Sequence, residues 1–268
     1  MLDLEEWASN GHHSRKINQL DMVLGVIPAR YASTRFPGKP LADIHGKSMI
    51  QRVVEQCLKA QRLHKVVVAT DDQRIYDHVI EFGGEVMMTR EDHPSGTDRL
   101  IEVAEQFSGF SHYVNIQGDE PFIDPSQIDQ LVELIINDPQ KGVGTLIQPI
   151  TDPERIFDPN SVKVVTDTEG YALYFSRSPI PFIRKEADRE KWWGHHAFYK
   201  HIGIYGFSTE AIQKIKTMSP ASLETAESLE QLRWLTHGLR IKTAITELHS
   251  PAVDTPEDLE RILKKYAP

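Results

Sequence analysis

The stretch PARYASTRFPGKP, residues 28–40, follows directly on an apolar run from Val23 to Ile27. The apolar run predicts a buried strand, and the loop after it carries three cations, Arg30, Arg35 and Lys39, with hydroxyl groups and a glycine between them. Open α/β sheets bind their ligands at the carboxyl ends of strands, where basic side chains can hold phosphate oxygens. The stretch therefore favours a polyphosphate site on an α/β fold, although a solvated basic loop accounts for the charges equally well.

Through its first half the chain alternates between short apolar, β-branched runs and segments with a helical period. This alternation is typical of an α/β fold with a mostly parallel central sheet and crossover helices on both faces. The predicted strands are Val23–Ile27, Lys65–Thr70, Glu85–Met88, Tyr113–Gln117 and Val143–Ile150, and the predicted helices are Met49–Gln61, Gln73–Phe82, Thr97–Phe107 and Pro125–Asn137.

After about residue 160 the pattern changes to paired strands. Val162–Thr166 and Tyr171–Phe175 are separated by Asp167-Thr168-Glu169-Gly170, which predicts a hairpin. Residues 178–200 are irregular and polar, with prolines and a tryptophan pair, and predict a mobile loop. The remaining predicted elements are a strand at His201–Phe207, helices at Thr209–Lys216 and Leu223–His237, a strand at Ile241–Glu247 and a helix at Pro256–Tyr266.

Composition narrows the class of protein. The chain has 268 residues and a formal net charge of −9, which argues against nucleic acid as the main partner. A chain of this length can bury a core without disulfides, and its single cysteine, Cys57, is expected to pack in that core in a reducing compartment, with a reactive thiol as the alternative. No apolar stretch is long enough to span a membrane and no signal peptide is visible, so we expect a cytoplasmic protein. Residues 1–21 are expected to be a disordered extension before a single domain, residues 22–268.

Several familiar motifs are excluded by their spacing. Gly46-Lys47-Ser48 is similar to the end of a P-loop, but Leu41 stands where that motif requires its first glycine. No G-x-G-x-x-G opens a helix after the first strand, and none of the histidines forms H-E-x-x-H. Adjacent residues such as His195 and His196 cannot both face one metal ion in regular structure. We therefore expect neither a dinucleotide fold of that type nor a zinc site.

Two aspartates are candidates for a metal site. Asp119 follows a predicted strand within Gln117-Gly118-Asp119-Glu120-Pro121, at the edge of the sheet where ligands bind. Mg²⁺ bound with a nucleoside triphosphate takes one or two carboxylates, phosphate oxygens and water, so Asp119 suits that role. An ordinary turn aspartate is the alternative. Asp254 precedes Thr255-Pro256, which is typical of a helix cap and first turn, so its alternative is a carboxylate favoured by the dipole of a helix start. Nothing in the spacing relates Asp254 to Asp119.

Five segments, in this order, resemble the 3-deoxy-manno-octulosonate cytidylyltransferases, which activate the sugar acid Kdo with CTP. The resemblance covers about residues 22–266, and several spaced motifs are more specific than any single one. The segments are residues 28–40, Gln117-Gly118-Asp119-Glu120-Pro121, Ala172-Leu173-Tyr174-Phe175-Ser176-Arg177, Leu229-Glu230-Gln231-Leu232-Arg233 and Val253-Asp254-Thr255-Pro256-Glu257-Asp258.

The resemblance implies a Rossmann-like nucleotidyltransferase fold with a smaller β-rich sugar-binding and dimerisation region at about residues 150–207. It implies the reaction CTP + Kdo to CMP-Kdo + pyrophosphate, for lipopolysaccharide biosynthesis, with Mg²⁺ as cofactor and a homodimer as the assembly. The site residues that it implies are Ala29, Arg30, Arg35, Lys39, Ser95 and Gln117 for the nucleotide, Arg35, Lys39 and Asp119 for catalysis, Arg177, His201, Tyr205, Glu230 and Gln231 for the sugar acid, and Asp119 and Asp254 for the metal.

Two alternatives remain open at this point. The motifs define the nucleotide half of the site better than the sugar half, so another acidic sugar, such as 8-amino Kdo or a sialic acid, is the first. The second is a non-catalytic nucleotide-binding protein on the same scaffold. Loss of the carboxylates would favour it, whereas Asp119 and Asp254 are both present.

Overall fold

The computed structural model describes residues 22–32 and 35–266. Residues 1–21, where the sequence predicts a disordered extension, lie outside the described residues.

A mostly parallel sheet forms the centre of the molecule. Its strands run in the order β11-β7-β10-β6-β1-β4-β5, with β8 beside β10 and β9 beside β8. Strand β1 is parallel to β4 and β6, and β7 is parallel to β11, whereas β10 runs antiparallel to β6, β7 and β8. The strands are β1 (Val23–Ala29), β4 (Lys65–Thr70), β5 (Val86–Met88), β6 (His112–Asn115), β7 (Val143–Pro149), β8 (Lys163–Thr166), β9 (Ala172–Ser176), β10 (Tyr199–Ser208) and β11 (Ile241–Ile245), and β2 (Asp43–Ile44) and β3 (Lys47–Ser48) form a small separate hairpin.

Helices cover both faces of this sheet. The α-helices are α1 (Met49–Cys57), α2 (Gln73–Glu81), α3 (Gly96–Gln106), α4 (Pro125–Ile136), α5 (Glu154–Phe157), α6 (Thr209–Ile215), α7 (Ser222–Glu227), α8 (Gln231–Thr236) and α9 (Pro256–Lys265).

The two faces of the sheet carry separate hydrophobic clusters. Leu24 and Val26 of β1 pack in one cluster with apolar residues of α3, α6 and α8. Val23 and Ile27 pack in the other with residues of α1, α2 and α4. Because successive side chains of a strand point to opposite faces, a strand buried on both faces reads as one continuous apolar run. This explains why β1 is visible in the sequence, and the predicted α/β fold with a mostly parallel sheet is confirmed.

Predicted start signals are also found in the structure. The Asp124 carboxylate accepts a hydrogen bond from Ser126 N at 2.8 Å, and Pro125 occupies the first turn of α4. The predicted hairpin is formed by β8 and β9, which pair antiparallel. Cys57 is free and buried, in agreement with its expected role in the core.

The helix predicted at Leu223–His237 is wrong as a single element. It is divided into α7 and α8, because Ser228 adopts a left-handed conformation with φ 51°. Glu227, the last residue of α7, accepts hydrogen bonds from Ser176 Oγ at 2.6 Å and Arg177 N at 2.9 Å. These bonds attach the end of α7 to the end of β9, and the chain turns there. A local helical period does not record such a tertiary contact.

The strand predicted at Tyr113–Gln117 ends earlier, at Asn115. A side chain on Gly118 would lie 2.8 Å from the carbonyl oxygen of Pro28, so the chain passes very close to the end of β1. Ile116 N still donates to Val26 O at 2.9 Å, and the Gln117 side chain then donates from Nε2 to Gly203 O of β10 at 2.6 Å. The chain therefore leaves the sheet just before the segment that carries Asp119.

The loop predicted at residues 178–200 contains a 3-10 helix at Arg189–Gly194, and its last two residues, Tyr199 and Lys200, already belong to β10. Trp192 in this helix is buried, and its Nε1 donates to Glu186 O at 3.0 Å. Within the described residues, no helix combines the length and the apolar character needed to cross a membrane.

Candidate active site

Two carboxylates that are far apart in the sequence meet at one lysine. Lys39 lies in a 3-10 turn after the basic loop, Asp119 lies after β6, and Asp254 lies before α9. Lys39 Nζ is 2.7 Å from Asp119 Oδ2 and 3.6 Å from Asp254 Oδ1. The side chains of Lys39 and Asp119 are only 16% and 25% exposed, so solvent screens their attraction incompletely. The fold thus brings together both residues predicted to bind Mg²⁺ and a residue predicted to bind phosphate.

Main-chain bonds fix the two carboxylates relative to each other. Val253 N donates to Asp119 O at 2.9 Å, and Lys39 Nζ donates to Val253 O at 3.0 Å. The segment that carries Asp254 is therefore attached directly to the segment that carries Asp119.

The cap of α9 is Thr255 and not Asp254. Thr255 Oγ1 accepts from Asp258 N at 3.3 Å, and Asp258 Oδ2 accepts from the main-chain N–H groups of Asp254 and Thr255 at 3.0 and 2.9 Å. The Asp254 carboxylate instead accepts from Arg35 Nη2 at 3.1 Å and faces Lys39. The helix-start interpretation therefore describes its neighbours, whereas the Asp254 side chain is directed at the cations of the basic loop.

The charges of this cluster balance in the ligand-free protein. Arg35 and Lys39 supply two positive charges, and Asp119 and Asp254 supply two negative ones. The Arg35 side chain is 66% exposed, so its ion pair with Asp254 is weak and can be exchanged for a stronger anion. A phosphate group can bind both cations if another cation takes over the two carboxylates.

The remaining nucleotide residues lie at the end of β1 and the start of α3. Arg30, directly after β1, donates to His93 O, and it also lies 3.4 Å from Ser95 O. A side chain on Gly96 would lie 3.5 Å from Pro28. The structure thus brings the predicted contacts Ala29, Arg30 and Ser95 together, with the Arg30 guanidinium directed at the main chain of the residues before α3.

Ser95 also connects the predicted nucleotide half to the predicted sugar half. Its hydroxyl oxygen caps α3 by accepting from Asp98 N at 3.1 Å, and it lies 2.7 Å from Glu230 Oε1. Thr97 Oγ1 donates to Glu230 Oε2 at 2.9 Å. Burial raises the pKa of Glu230, and the bonds from Ser95 and Thr97 act in the opposite direction. Glu230 is therefore a largely buried group held against the first turn of α3.

Gln117, predicted to contact the nucleotide, joins β10 to the residues before Asp119. Its Nε2 donates to Gly203 O at 2.6 Å, where the register between β7 and β10 shifts between Ile202 and Tyr205. The amide is occupied by this bond in the ligand-free chain.

Three predicted sugar residues form an aromatic and polar group on β10 and α8. The His201 ring lies 5.0 Å from the Tyr205 ring and 5.2 Å from the Phe175 ring, measured between centroids. Burial lowers the pKa of His201 to about 3 and raises the pKa of Tyr205. Tyr205 Oη and Gln231 Nε2 are buried without a hydrogen-bond partner among the described residues.

The His201 tautomer follows from its neighbour. Thr145 Oγ1 lies 2.7 Å from Ile204 O and 3.0 Å from His201 Nε2. A hydroxyl has one proton, so donation to the carbonyl leaves its oxygen to accept from His201 Nε2–H. This network assigns the proton of the neutral imidazole to Nε2 and leaves Nδ1 as an acceptor.

Arg177, predicted to bind the sugar carboxylate, is engaged with the main chain in the ligand-free structure. Its Nε donates to Glu227 O at 2.7 Å, its Nη1 to Pro159 O at 3.0 Å and its Nη2 to Ser228 O at 3.4 Å. Its predicted role requires an exchange of at least some of these bonds for a ligand.

The sequence reasoning missed a clamp on the basic loop. The Arg74 guanidinium lies 3.2 Å from the centroid of the Tyr31 ring, and Asp72 holds it with two bonds of 2.9 and 2.6 Å. On the other side, Gly38 has φ 71°, and a side chain there would lie 3.1 Å from Tyr31. This cation–π contact joins two residues that are far apart in the sequence, so no local sequence pattern predicts it. The aromatic residue directly after Arg30 was the available clue.

Arg99 was also missed. It is fully buried in α3, and its Nη2 lies 2.6 Å from Asp71 Oδ2 just after β4, while its Nη1 donates to Thr89. Its position in Ser95-Gly96-Thr97-Asp98-Arg99 was visible in the sequence, but its buried partner was not. This ion pair attaches the first turn of α3 to the end of β4.

Glu120 is a third residue that the sequence reasoning did not assign. It is buried beside Asp119, and burial, with a smaller contribution from the Asp119 charge, raises its pKa to about 8. Lys200 acts in the opposite direction. Its place within the Gln117–Pro121 segment was the signal that could have identified it.

Within residues 22–32 and 35–266, no three histidine, cysteine, aspartate or glutamate side chains are grouped so that they could hold a metal ion. The donor set at the candidate site consists of the Asp119 and Asp254 carboxylates.

Known proteins match this chain over most of its length. A family model described as cytidylyltransferase matches residues 24–241. The 3-deoxy-manno-octulosonate cytidylyltransferase of Cytophaga hutchinsonii is 48% identical over 241 residues, which cover 90% of this chain and 96% of the relative. The protein of the same name from Bacteroides thetaiotaomicron is 52% identical over 241 residues, covering 88% of this chain and 95% of the relative.

Solved structures agree with these relatives. The structure of CMP:2-keto-3-deoxy-manno-octonic acid synthetase complexed with CTP matches with a TM-score of 0.86 at 43% identity, covering 92% of this chain and 98% of that chain. A cytidylyltransferase from Leptospira borgpetersenii has a TM-score of 0.58 at 18% identity, over 90% of this chain and 84% of that one, which supports the fold alone. The resemblance inferred from five sequence segments is confirmed. The chain belongs to the cytidylyltransferase family, among the 3-deoxy-manno-octulosonate cytidylyltransferases.

Proposed function

We propose that this protein transfers the CMP group of CTP to Kdo, giving CMP-Kdo and pyrophosphate, as a step of lipopolysaccharide biosynthesis. The convergence of Asp119 and Asp254 on Lys39, beside Arg35, is the observation that carries the proposal. The names of relatives near 50% identity and the CTP in the matching solved structure support the same substrates.

The basic loop is proposed to hold the triphosphate. Lys39 and Arg35 exchange their carboxylate partners for phosphate oxygens, and Arg30 holds the residues before α3 against the end of β1. Ala29, Ser95 and Gln117 lie around the same edge and are proposed to contact the cytidine. The Arg74–Tyr31 contact fixes the loop from outside.

The reaction needs positioning and charge neutralisation and no covalent enzyme intermediate. The anomeric oxygen of the sugar acid forms a bond to the α-phosphorus, the bond to the β-phosphate oxygen breaks, and pyrophosphate leaves while the hydroxyl proton goes to solvent or a nearby base. Lys39 and Arg35 stabilise the negative charge that accumulates on the phosphate oxygens.

The residues present fit Mg²⁺. Asp119 and Asp254 offer two carboxylates that already hold a cationic group between them, and Mg²⁺ bound with a nucleotide uses one or two carboxylates together with phosphate oxygens. When bound, the ion would neutralise triphosphate charge. The protein presents these two carboxylates from two segments whose main chains are hydrogen-bonded to each other.

The sugar acid is proposed to lie between α8 and β10. Glu230, Gln231, Tyr205 and His201 offer acceptors and donors for hydroxyl groups, and Arg177 is the cation for the carboxylate. Glu230 contacts Ser95 and Thr97, so the two halves of the proposed site adjoin.

A panel of pyrophosphate-release assays tests the proposal. CTP, ATP and GTP are each combined with Kdo, 8-amino Kdo and a sialic acid, with and without Mg²⁺. We expect turnover only with CTP and Mg²⁺, and fastest with Kdo. Equal rates with ATP would overturn the nucleotide assignment, preference for another acid would change the sugar, and nucleotide binding without turnover would support a non-catalytic protein.

A homodimer is proposed as the assembly, and a cytoplasmic location is proposed with it. Leu173, Phe182 and Trp193 are 61%, 70% and 60% exposed, within the region expected to mediate dimerisation. Light scattering coupled to size-exclusion chromatography tests this, since a monomer at micromolar concentration would contradict it.

A further inference from the structure

Buried polar atoms without a hydrogen-bond partner are concentrated beside the proposed sugar site. Within the described part of the chain the buried side-chain atoms that lack a partner are Arg99 Nε, Asn115 Oδ1, Ser161 Oγ, Tyr205 Oη, Gln231 Nε2 and Trp234 Nε1. Tyr205 and Gln231 already have a proposed role with the sugar acid. Asn115 and Trp234 have none.

These four residues, Asn115, Tyr205, Gln231 and Trp234, are neighbours, and we call them the unpaired cluster. Asn115 of β6 stands directly opposite Tyr205 of β10 in the antiparallel ladder, so both side chains lie on the same face of the sheet. The Trp234 ring lies 5.0 Å from the Tyr205 ring at an interplanar angle of 81°. Trp234 follows Gln231 by one helical turn of α8, so these two share a helix face.

The unpaired cluster adjoins the nucleotide half. A side chain on Gly96 would lie 3.6 Å from Asn115 Nδ2, and Glu230, just before Gln231, accepts from Ser95 and Thr97. The cluster is therefore next to the turn that is proposed to contact the cytidine, where the sugar acid must meet the nucleotide.

An unpaired polar group in a buried position is unfavourable, and native proteins contain few of them. Four together amount to a substantial loss of stability, which a ligand could recover by supplying their partners. A site of this kind discriminates strongly against an analogue that lacks the matching hydroxyl group.

The chemistry of the four atoms indicates what the ligand presents. An indole N–H only donates, an amide oxygen only accepts, the Gln231 Nε2 group donates, and the tyrosine hydroxyl does both. Phosphate or carboxylate oxygens could satisfy the donors but not the Asn115 oxygen. A chain of hydroxyl groups satisfies all four, because each hydroxyl group donates once and accepts.

Resting on the proposed function, we propose that Trp234 Nε1 and Asn115 Oδ1 are further specificity-determining contacts to hydroxyl groups of the sugar acid. All four atoms of the unpaired cluster are shielded from solvent, so contact with the sugar acid requires that the side chains covering them move.

Trp234→Phe tests the first contact because it removes the N–H and keeps an aromatic ring. We expect the KM for Kdo to rise about tenfold, as for the loss of one neutral hydrogen bond, with the KM for CTP unchanged. Because Trp234 is fully buried and the smaller ring leaves a cavity, the melting temperature of the variant is measured alongside the KM. Tyr113→Phe is the matched control, because its hydroxyl group lies in the same hydrophobic cluster but is paired with Phe107 O at 3.2 Å. This control should leave the KM for Kdo unchanged.

Deoxy analogues of the sugar identify the partner. The analogue that lacks the hydroxyl group bound by Trp234 should be a poor substrate of the wild type. The Trp234→Phe variant should have the same KM for that analogue as the wild type. Asn115→Leu, which keeps the shape and removes the acceptor, should give the same result with a different analogue. An unchanged KM for Kdo in Trp234→Phe, or an equal rise for CTP, overturns the proposal.

A measurement on the wild type covers the case in which the variant does not fold. The chain has four tryptophans, whose ¹⁵N-labelled indole N–H signals can be followed by NMR. The 2-deoxy analogue of Kdo lacks the attacking hydroxyl group and cannot react. Titration with it in the presence of CTP should shift the Trp234 signal more than the other three, and an unmoved signal overturns the proposal. If instead the wild type shows no pyrophosphate release with CTP and Kdo, the proposed function itself fails.

Discussion

Asp119 and Asp254 approach the same ammonium group, at 2.7 and 3.6 Å from Lys39 Nζ, although one follows a central strand and the other precedes the last helix. Lys39 Nζ lies between the two carboxylates, at the place that the proposed function gives to a metal ion. Lys39 and the metal ion should therefore compete for these oxygen atoms unless a triphosphate draws the ammonium group away.

Lys39→Met tests this competition. The variant should bind Mn²⁺, used as a probe for Mg²⁺, more tightly than the wild type in the absence of nucleotide, because the two carboxylates lose their resident cation. Its turnover should fall about a hundredfold or more, since a charge on the phosphates is lost. Electron paramagnetic resonance measures free Mn²⁺ directly. Lys47→Met, which removes an exposed ion pair with Glu55, is the control and should change neither property. Weaker Mn²⁺ binding in Lys39→Met would contradict the competition.

The two carboxylates should act as one unit. Asp119→Asn and Asp254→Asn each remove one anionic oxygen while keeping size, so we expect roughly a hundredfold or greater loss of turnover from either, with a normal fold. The double variant should lose far less than the product of the two single losses, because residues that serve one function are not additive. Steady-state rates of the four proteins measure this. Multiplicative losses would indicate independent roles, and an active Asp254→Asn would remove that residue from the site.

The two proposed substrate-binding arginines should differ in stability as well as in kinetics. Arg35 is mostly exposed, so Arg35→Ala should raise the KM for CTP with little change in melting temperature. Arg177→Ala should raise the KM for Kdo and also lower the melting temperature, because its guanidinium bonds to three main-chain carbonyl groups. The affinity of both variants for CTP is also measured by calorimetry. If Arg177→Ala weakened CTP and Kdo equally, the division between the two halves would be incorrect.

The sequence predicted features that depend on local interactions, and it missed features that depend on contacts between distant segments. The continuous apolar run of β1 and the cap at Asp124 are local, and both were predicted. The break at Ser228 depends on Glu227 meeting the end of β9, and the approach of Asp254 to Lys39 depends on two segments that are far apart in the sequence. The contact of Arg74 with Tyr31 joins segments that no local pattern relates. The resemblance supplied the polar residues proposed for the site, but it did not predict that Arg177 would be bonded to the main chain.

The buried pair of Arg99 and Asp71 should be strongly coupled. Arg99→Met leaves the Asp71 carboxylate buried without its partner, and we expect a loss of about 3–5 kcal/mol in unfolding free energy. Adding Asp71→Leu should recover part of that loss, since an apolar pair of similar volume often replaces a buried ion pair without penalty. Urea denaturation of the single and double variants measures the coupling. Additive losses would show that each residue contributes separately.

His201 should make the protein less stable in mild acid. Burial lowers its pKa in the folded chain to about 3, whereas a histidine in the unfolded chain has a pKa of about 6.5. Between these values the unfolded state binds a proton that the native state does not, so His201 favours the folded state fully above about pH 6.5 and loses that contribution as the pH falls towards 3. The slope from this one group is at most about 1.4 kcal/mol per pH unit.

His201→Gln keeps a donor for Thr145 and removes the titration, so its stability should fall less steeply between pH 6.5 and 4.5 in urea denaturation series. His237→Gln, at an exposed histidine, is the control and should retain the wild-type slope. If the His201→Gln slope equalled that of the wild type, His201 would not be the group responsible.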